Sequence, residues 1–166
     1  SPTVTSNSNW TLNGGTINIG NDAVGTWTFT AGTVTLGGTT TLMAEANTGV
    51  ISFNNVTLGG GTTFETTWRA INAITGTLTA TGTSCANGAI LKSTLLGQLA
   101  TLNLAAGQTV SGLYVRDISI GTGDLTVTDG YDFNNSGFAN LTFVGATTDL
   151  FWVGGTTAAD AANKGG

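Results

Sequence analysis

The sequence predicts an all-β fold, a single-stranded right-handed parallel β-helix of about six to eight short coils, and three observations predict it. The first is composition: the 166 residues include 34 Thr, 26 Gly and 15 Asn, against 13 charged residues, one Pro and no His. Thr favours pleated strands, while Gly and Asn supply the positive-φ positions of tight turns. The chain is 40% hydrophobic, unlike disordered chains, which are charged and poor in β-branched residues. The second observation is a succession of short segments, apolar at every second position and separated by Gly or Asn corners. The third is an internal likeness at an offset of 17 residues. At that offset Trp10 meets Trp27, Leu12 meets Phe29, Gly15 meets Gly32, Ile17 meets Val34 and Ile19 meets Leu36.

A unit this short cannot bury its own apolar face. Copies stacked at the interstrand spacing of ~4.8 Å bury it, and like residues then form ladders. The expected ladder sets Trp10 over Trp27 on the first two coils, as an internal stack or as an exposed aromatic row. Further strand segments are expected over 49–53, 55–58, 76–80, 89–92, 100–104, 109–115, 118–120, 125–127 and 141–143. Rungs of roughly 17–25 residues stack into a rod roughly 30–40 Å long. The rival all-β arrangement is a β-sandwich or jelly roll, whose strands have no reason to match one another in sequence. Helix is scarce: 91–99 is a candidate turn or short helix, and 158–164 a candidate helical tail. By length there is one domain, a solenoid over residues 1–150, followed by a Trp-Val-Gly-Gly linker and flexible tail over 151–166.

Charge narrows the classes of partner. The net charge is −5 with four Lys and Arg in all, so nucleic acid and anionic membrane surfaces are not expected partners. No run of 18 apolar residues is present, and no membrane insertion as a helix is expected. The chain opens on Ser1 without an initiator Met, as a processed, mature or excised chain would. Cys85 is the sole cysteine, which rules out an internal disulfide and suggests a small buried hydrophobe.

From Phe53 onward the chain resembles modules of large, repetitive bacterial surface proteins of the adhesin or filamentous-haemagglutinin-like parallel β-helix type. The resembling stretches are Phe53-Asn54-Asn55-Val56-Thr57-Leu58, Gly76-Thr77-Leu78-Thr79-Ala80-Thr81-Gly82-Thr83 and Ile90-Leu91-Lys92-Ser93. They continue with Thr109-Val110-Ser111-Gly112-Leu113-Tyr114-Val115-Arg116-Asp117-Ile118 and Phe133-Asn134-Asn135-Ser136-Gly137. Phe151-Trp152-Val153-Gly154-Gly155-Thr156 is similar to a motif that joins such modules; after it the family pattern continues with Trp and His residues, and this chain departs into Ala158-Ala159-Asp160. The likeness covers roughly two-thirds of the chain. It implies a secreted, cell-surface module and supplies no catalytic residue. Phage fibres and capsid-decorating proteins use the same vocabulary, which makes a virion surface the alternative address.

Little in the sequence points to catalysis. Without His, serine and cysteine triads and His-based metal sites are excluded, and no cofactor is implied. The closest carboxylate pair is Asp129 and Asp132, within Asp129-Gly130-Tyr131-Asp132-Phe133-Asn134. Asp, Asn and Gly at that spacing describe a turn. Asp129, Asp132 and Asn134 are also candidate calcium ligands, since clustered oxygens suit a hard cation; a pair of catalytic carboxylates facing one sugar is the remaining option. Trp10, Trp27, Trp68, Tyr114 and Trp152 are candidate aromatics for a glycan or an interface. Four Asn-x-Ser/Thr triplets, at Asn9, Asn55, Asn134 and Asn140, match chance in so Thr-rich a chain. The expected function is therefore a non-enzymatic structural or adhesive surface module. Its partners are copies of itself or neighbouring modules, with surface glycans as a further class and a carbohydrate-binding module as the alternative.

Overall fold

The computed structural model describes residues 3–18, 26–43, 49–82, 87–134, 136–137 and 139–144. Trp152, Cys85, the 151–166 linker and the 158–164 helical tail lie outside them. Among the described residues every regular element is a strand, and every strand pairing is parallel. That pattern is a parallel β-helix and not a sandwich or jelly roll.

Each coil contributes one strand to each of three faces. The first coil is β1 (Thr3–Ser6), β2 (Trp10–Leu12) and β3 (Gly15–Asn18); the second is β4 (Thr26–Phe29), β5 (Thr33–Leu36) and β6 (Thr39–Met43). The third is β7 (Gly49–Phe53), β8 (Asn55–Leu58) and β9 (Thr63–Thr66), and the fourth β10 (Ala70–Ile74), β11 (Leu78–Ala80) and β12 (Ala89–Ser93). The fifth is β13 (Ala100–Leu104), β14 (Gln108–Ser111) and β15 (Leu113–Arg116), and the sixth β16 (Ile118–Thr122), β17 (Leu125–Thr128) and β18 (Asp132–Asn134). A seventh is represented by β19 (Leu141–Val144) and a bridge of Gly137 to Ser119. The first and third strands of the coils build two six-stranded faces, while the middle face is split into a four-stranded sheet ending at β11 and a three-stranded sheet beginning at β14.

The register corrects the 17-residue ladder. Trp10 pairs with Val34, 24 residues on, and Trp27 pairs with Val4 and Ile51. Trp10 therefore lies on the middle face and Trp27 on the first, and neither stacks on the other. The offset of 17 overlays strands of adjacent faces. The strands alternate in the same way and Gly recurs at corners, so Gly15 and Gly32 resemble each other while turning different corners. On the first face Thr3 pairs with Thr26, Thr26 with Val50, Val50 with Ile71, Ile71 with Thr101 and Thr101 with Ser119; successive coils thus take 23, 24, 21, 30 and 18 residues. The 30-residue coil exceeds the expected rung because long connections flank β12. One of them, 94–99, falls in the 91–99 stretch expected as a turn or a short helix, and it is a turn, closed by the Gln98 N–H donating to the Leu95 carbonyl at 3.1 Å. The expected strand 109–115 is two strands bent at Gly112.

Inward positions form columns that run along the axis. Val34, Val56 and Leu78 make one and Leu36 and Leu58 the next, all buried and in register. Ile51, Asn72, Leu102 and Ile120 line the first face. Parallel sheets need both faces covered; the coil solves half of that problem internally and leaves the outward half largely polar, with Val50 and Ile71 exposed side by side on the first face. Thr11, Thr35, Thr57 and Thr79 stand in one outward row on the middle face. Threonines also stitch the corners: the Thr30, Thr62, Thr75, Thr81 and Thr122 hydroxyls donate to the Ser6, Leu36, Phe53, Leu58 and Leu104 carbonyls of the preceding coil. This accounts for so Thr-rich a composition with so little charge.

Candidate functional site

Two of the predicted aromatics face inward near the first coil. Trp10 and Trp27 pack half-buried against the core, with Trp10 edge-on to Phe29 at 5.1 Å and Phe29 stacked on Phe53 at 5.2 Å. The Trp10 indole N–H donates to Ser6 Oγ at 2.9 Å. Neither the ladder nor an exposed row exists here. Trp68 is half-buried at a corner, with the Arg69 guanidinium 4.6 Å from its ring centre.

The structure does not gather the acids. Asp129, in the left-handed region at φ 52°, accepts from Ser111 Oγ at 3.2 Å. Asp132 accepts from Ser136 N at 3.1 Å and Ser136 Oγ at 2.7 Å, closing the turn that follows β18. Each carboxylate serves a different corner. Among the described residues no group of three or more His, Cys, Asp or Glu is placed to hold a metal. Asn134 lies in β18, in backbone register with Arg116. Three of the Asn-x-Thr triplets have structural uses: Asn9 Oδ1 accepts from Thr33 N, Asn55 Oδ1 from Thr77 N, and Asn140 Nδ2 donates to the Ile120 carbonyl.

Tyr114 leads to a place on the third face where aromatic and charged side chains gather. It is 5% exposed, and its ring lies 4.8 Å from Tyr131 and 5.7 Å from Phe133, with Tyr131 and Phe133 4.7 Å apart. Beside this trio is a shallow cleft of about 300 Å³ lined by Ile90, Lys92, Arg116 and Phe133. Its geometry follows from register. Ile90 pairs with Tyr114 and Lys92 with Arg116, so four side chains of β12 and β15 share the outward surface. The next pairing slips: Val115 faces Asp132 but Arg116 faces Asn134, which leaves Phe133 as the extra residue of a bulge. A bulge re-aims a side chain, and Phe133 is 46% exposed at the rim of the cleft.

The cleft is electrostatically balanced. Lys92 Nζ lies 2.7 Å from Glu65 Oε1, and Thr41 Oγ1 donates to Glu65 Oε2 at 2.6 Å. Hydrogen bonds from Lys92 and Thr41 hold the Glu65 carboxyl below its ordinary 4.5, with the Lys92 and Arg116 charges adding and burial opposing. Arg116 Nε lies 3.2 Å from Oδ2 of Asp117, whose side chain is fully buried. Two cations thus face two carboxylates, one of them beneath the surface.

Sequence reading reached Tyr114 but missed Ile90, Lys92, Arg116 and Phe133. One signal was available: Ala89-Ile90-Leu91-Lys92 and Leu113-Tyr114-Val115-Arg116 share the pattern of three apolar residues and a base at an offset of 24. No protein-family model matches the chain, and no curated protein or solved structure matches it either.

Proposed function

We propose that this chain is a non-enzymatic structural and adhesive module of an extracellular surface, most simply a bacterial cell surface, that builds a longer array with copies of itself or with neighbouring modules. The observation that carries the reading is the edge of the first coil. β1, β2 and β3 each pair on one side only among the described residues, so their other side is where a further coil, from a copy or a neighbouring module, would add. Such edges are templates for strand addition, and stacked repeats depend on their neighbours to cover them. The outward threonine rows and the sparse charge support packing against a like surface. Glu65, Asp117, Asp129 and Asp132, each engaged by a different partner, support a role without catalysis. Sedimentation velocity of purified chain across a wide concentration range tests assembly: growth into oligomers or fibres is expected, and a strictly monomeric chain at high concentration overturns the reading.

A further inference from the structure

The cleft on the third face is not needed for assembly through coil edges, and its chemistry is specific. We infer that it is a binding site for a single pyranose unit of a neutral glycan, with the sugar's C–H face on Phe133 and Ile90 and its hydroxyls on Lys92, Arg116 and the adjoining Glu65. Four observations converge on this ligand class.

The first is the platform. Phe133 is held on edge against Tyr114 and Tyr131 at 5.7 and 4.7 Å, so an exposed ring is fixed by two others instead of swinging free. A rigid, half-exposed aromatic is a large apolar surface that costs little side-chain entropy to use. The second is size: about 300 Å³ is the lower limit of small-molecule sites, matching one ring and not an extended chain.

The third is hydrogen-bonding capacity. An ammonium has three donors, a guanidinium five, and a carboxylate about four lone-pair sites. Lys92 uses one contact on Glu65, and Glu65 accepts one bond at each oxygen. Donors and an acceptor therefore remain side by side, which is what a pair of neighbouring hydroxyls, each donor and acceptor, requires. The fourth is charge. Lys92 and Arg116 are already matched by Glu65 and Asp117, in a chain of net charge −5. An anionic ligand gains little local attraction and meets long-range repulsion, so the neutral class is favoured over uronates or sulfated sugars.

The open shape agrees with this reading, because a glycan chain can pass on along the face over Thr63 and Thr41, which stand in register with Ile90 and Glu65. The site is independent of the assembly reading, and either can fail without the other.

The experiment is an NMR titration of the whole chain with cellobiose, maltose, mannobiose and chitobiose, beside digalacturonate as the acidic comparison. Expected are saturable shifts at the Ile90, Arg116 and Phe133 amides with at least one neutral sugar, insensitive to added salt. Phe133→Ala should weaken that binding about tenfold, the loss of one aromatic stacking surface. Lys92→Gln, which touches no ring, should weaken it separately, with both variants keeping the wild-type amide pattern elsewhere. No shift with any neutral sugar, shifts confined to other faces, or a preference for digalacturonate would each overturn the assignment.

Discussion

The side-chain amide of Gln108 stands in for a peptide group against Leu78. Its Oε1 accepts from the Leu78 N–H at 2.6 Å and its Nε2 donates to the Gly76 carbonyl at 3.0 Å. This happens where the middle face changes sheets, between β11 and β14, after the longest coil. One side chain thus satisfies a donor and an acceptor that the interrupted ladder leaves behind. Gln108→Ala removes both bonds and should lower the unfolding free energy by about 1–3 kcal/mol. Urea denaturation of the two proteins reads the difference, and an unchanged midpoint would show that water replaces the amide without loss.

Register can be tested by cross-linking. Thr11 and Thr35 are ladder partners 24 residues apart, and partners in a sheet lie ~4.8 Å apart, within the Cα range of a disulfide. In a Cys85→Ala background, Thr11→Cys with Thr35→Cys should oxidise to an internal disulfide under mild conditions. Thr11→Cys with Thr28→Cys, 17 apart and on different faces, should stay reduced. Thiol counting by mass spectrometry decides, and the opposite result would restore the 17-residue coil.

Acid should loosen the third face. The Glu65 carboxyl is held below its ordinary 4.5, chiefly by the hydrogen bond from Lys92. A carboxyl with a depressed folded-state value contributes stability that is fully present above its unfolded value and is lost as pH falls through the folded one. The contribution of this pair should therefore be constant at neutral pH and fade below about 4.5, by no more than about 1 kcal/mol. Glu65→Gln should flatten that part of the curve. Melting temperatures of both proteins between neutral and acid pH measure it, and parallel curves would assign the acid sensitivity elsewhere.

Two glycines separate backbone strain from crowding. Gly112 and Gly97 both have positive φ, 67° and 80°. A Cβ on Gly112 would run into the backbone carbonyl of Gly82 in the neighbouring coil, whereas one on Gly97 meets nothing. Gly97→Ala should cost about 1 kcal/mol of left-handed strain. Gly112→Ala adds overpacking and should cost about 2 kcal/mol or more. Equal losses by thermal unfolding would mean that the coils can part at no expense.

What could be read beforehand divides along a physical line. The strands at 49–53, 55–58 and 100–104 match the structure end to end, because a period of two depends only on neighbours in the chain. The phase of the coil did not follow. Trp10-Thr11-Leu12 and Trp27-Thr28-Phe29 carry the same alternation on different faces, so likeness between them says that both are strands and not that they touch. The cleft was less legible still. It depends on one extra residue in β18, and a bulge is a relation between two strands that neither sequence displays. Asp117 makes the same point: an ordinary acid in the sequence, it is a fully buried corner at φ 57° under Arg116 in the fold.

Among the described residues the connections between the third face and the first run from the single residue Asp117, through 67–69, to the six residues 94–99, yet Ile71, Thr101 and Ser119 still fall in line across them. The molecule keeps its axial grid while letting one vertical seam vary in length. Along that seam sequence can drift, lengthen or accept a foreign peptide without disturbing the columns behind it. Leu95, Leu96 and Leu99 are all exposed on that seam, outside the packed columns.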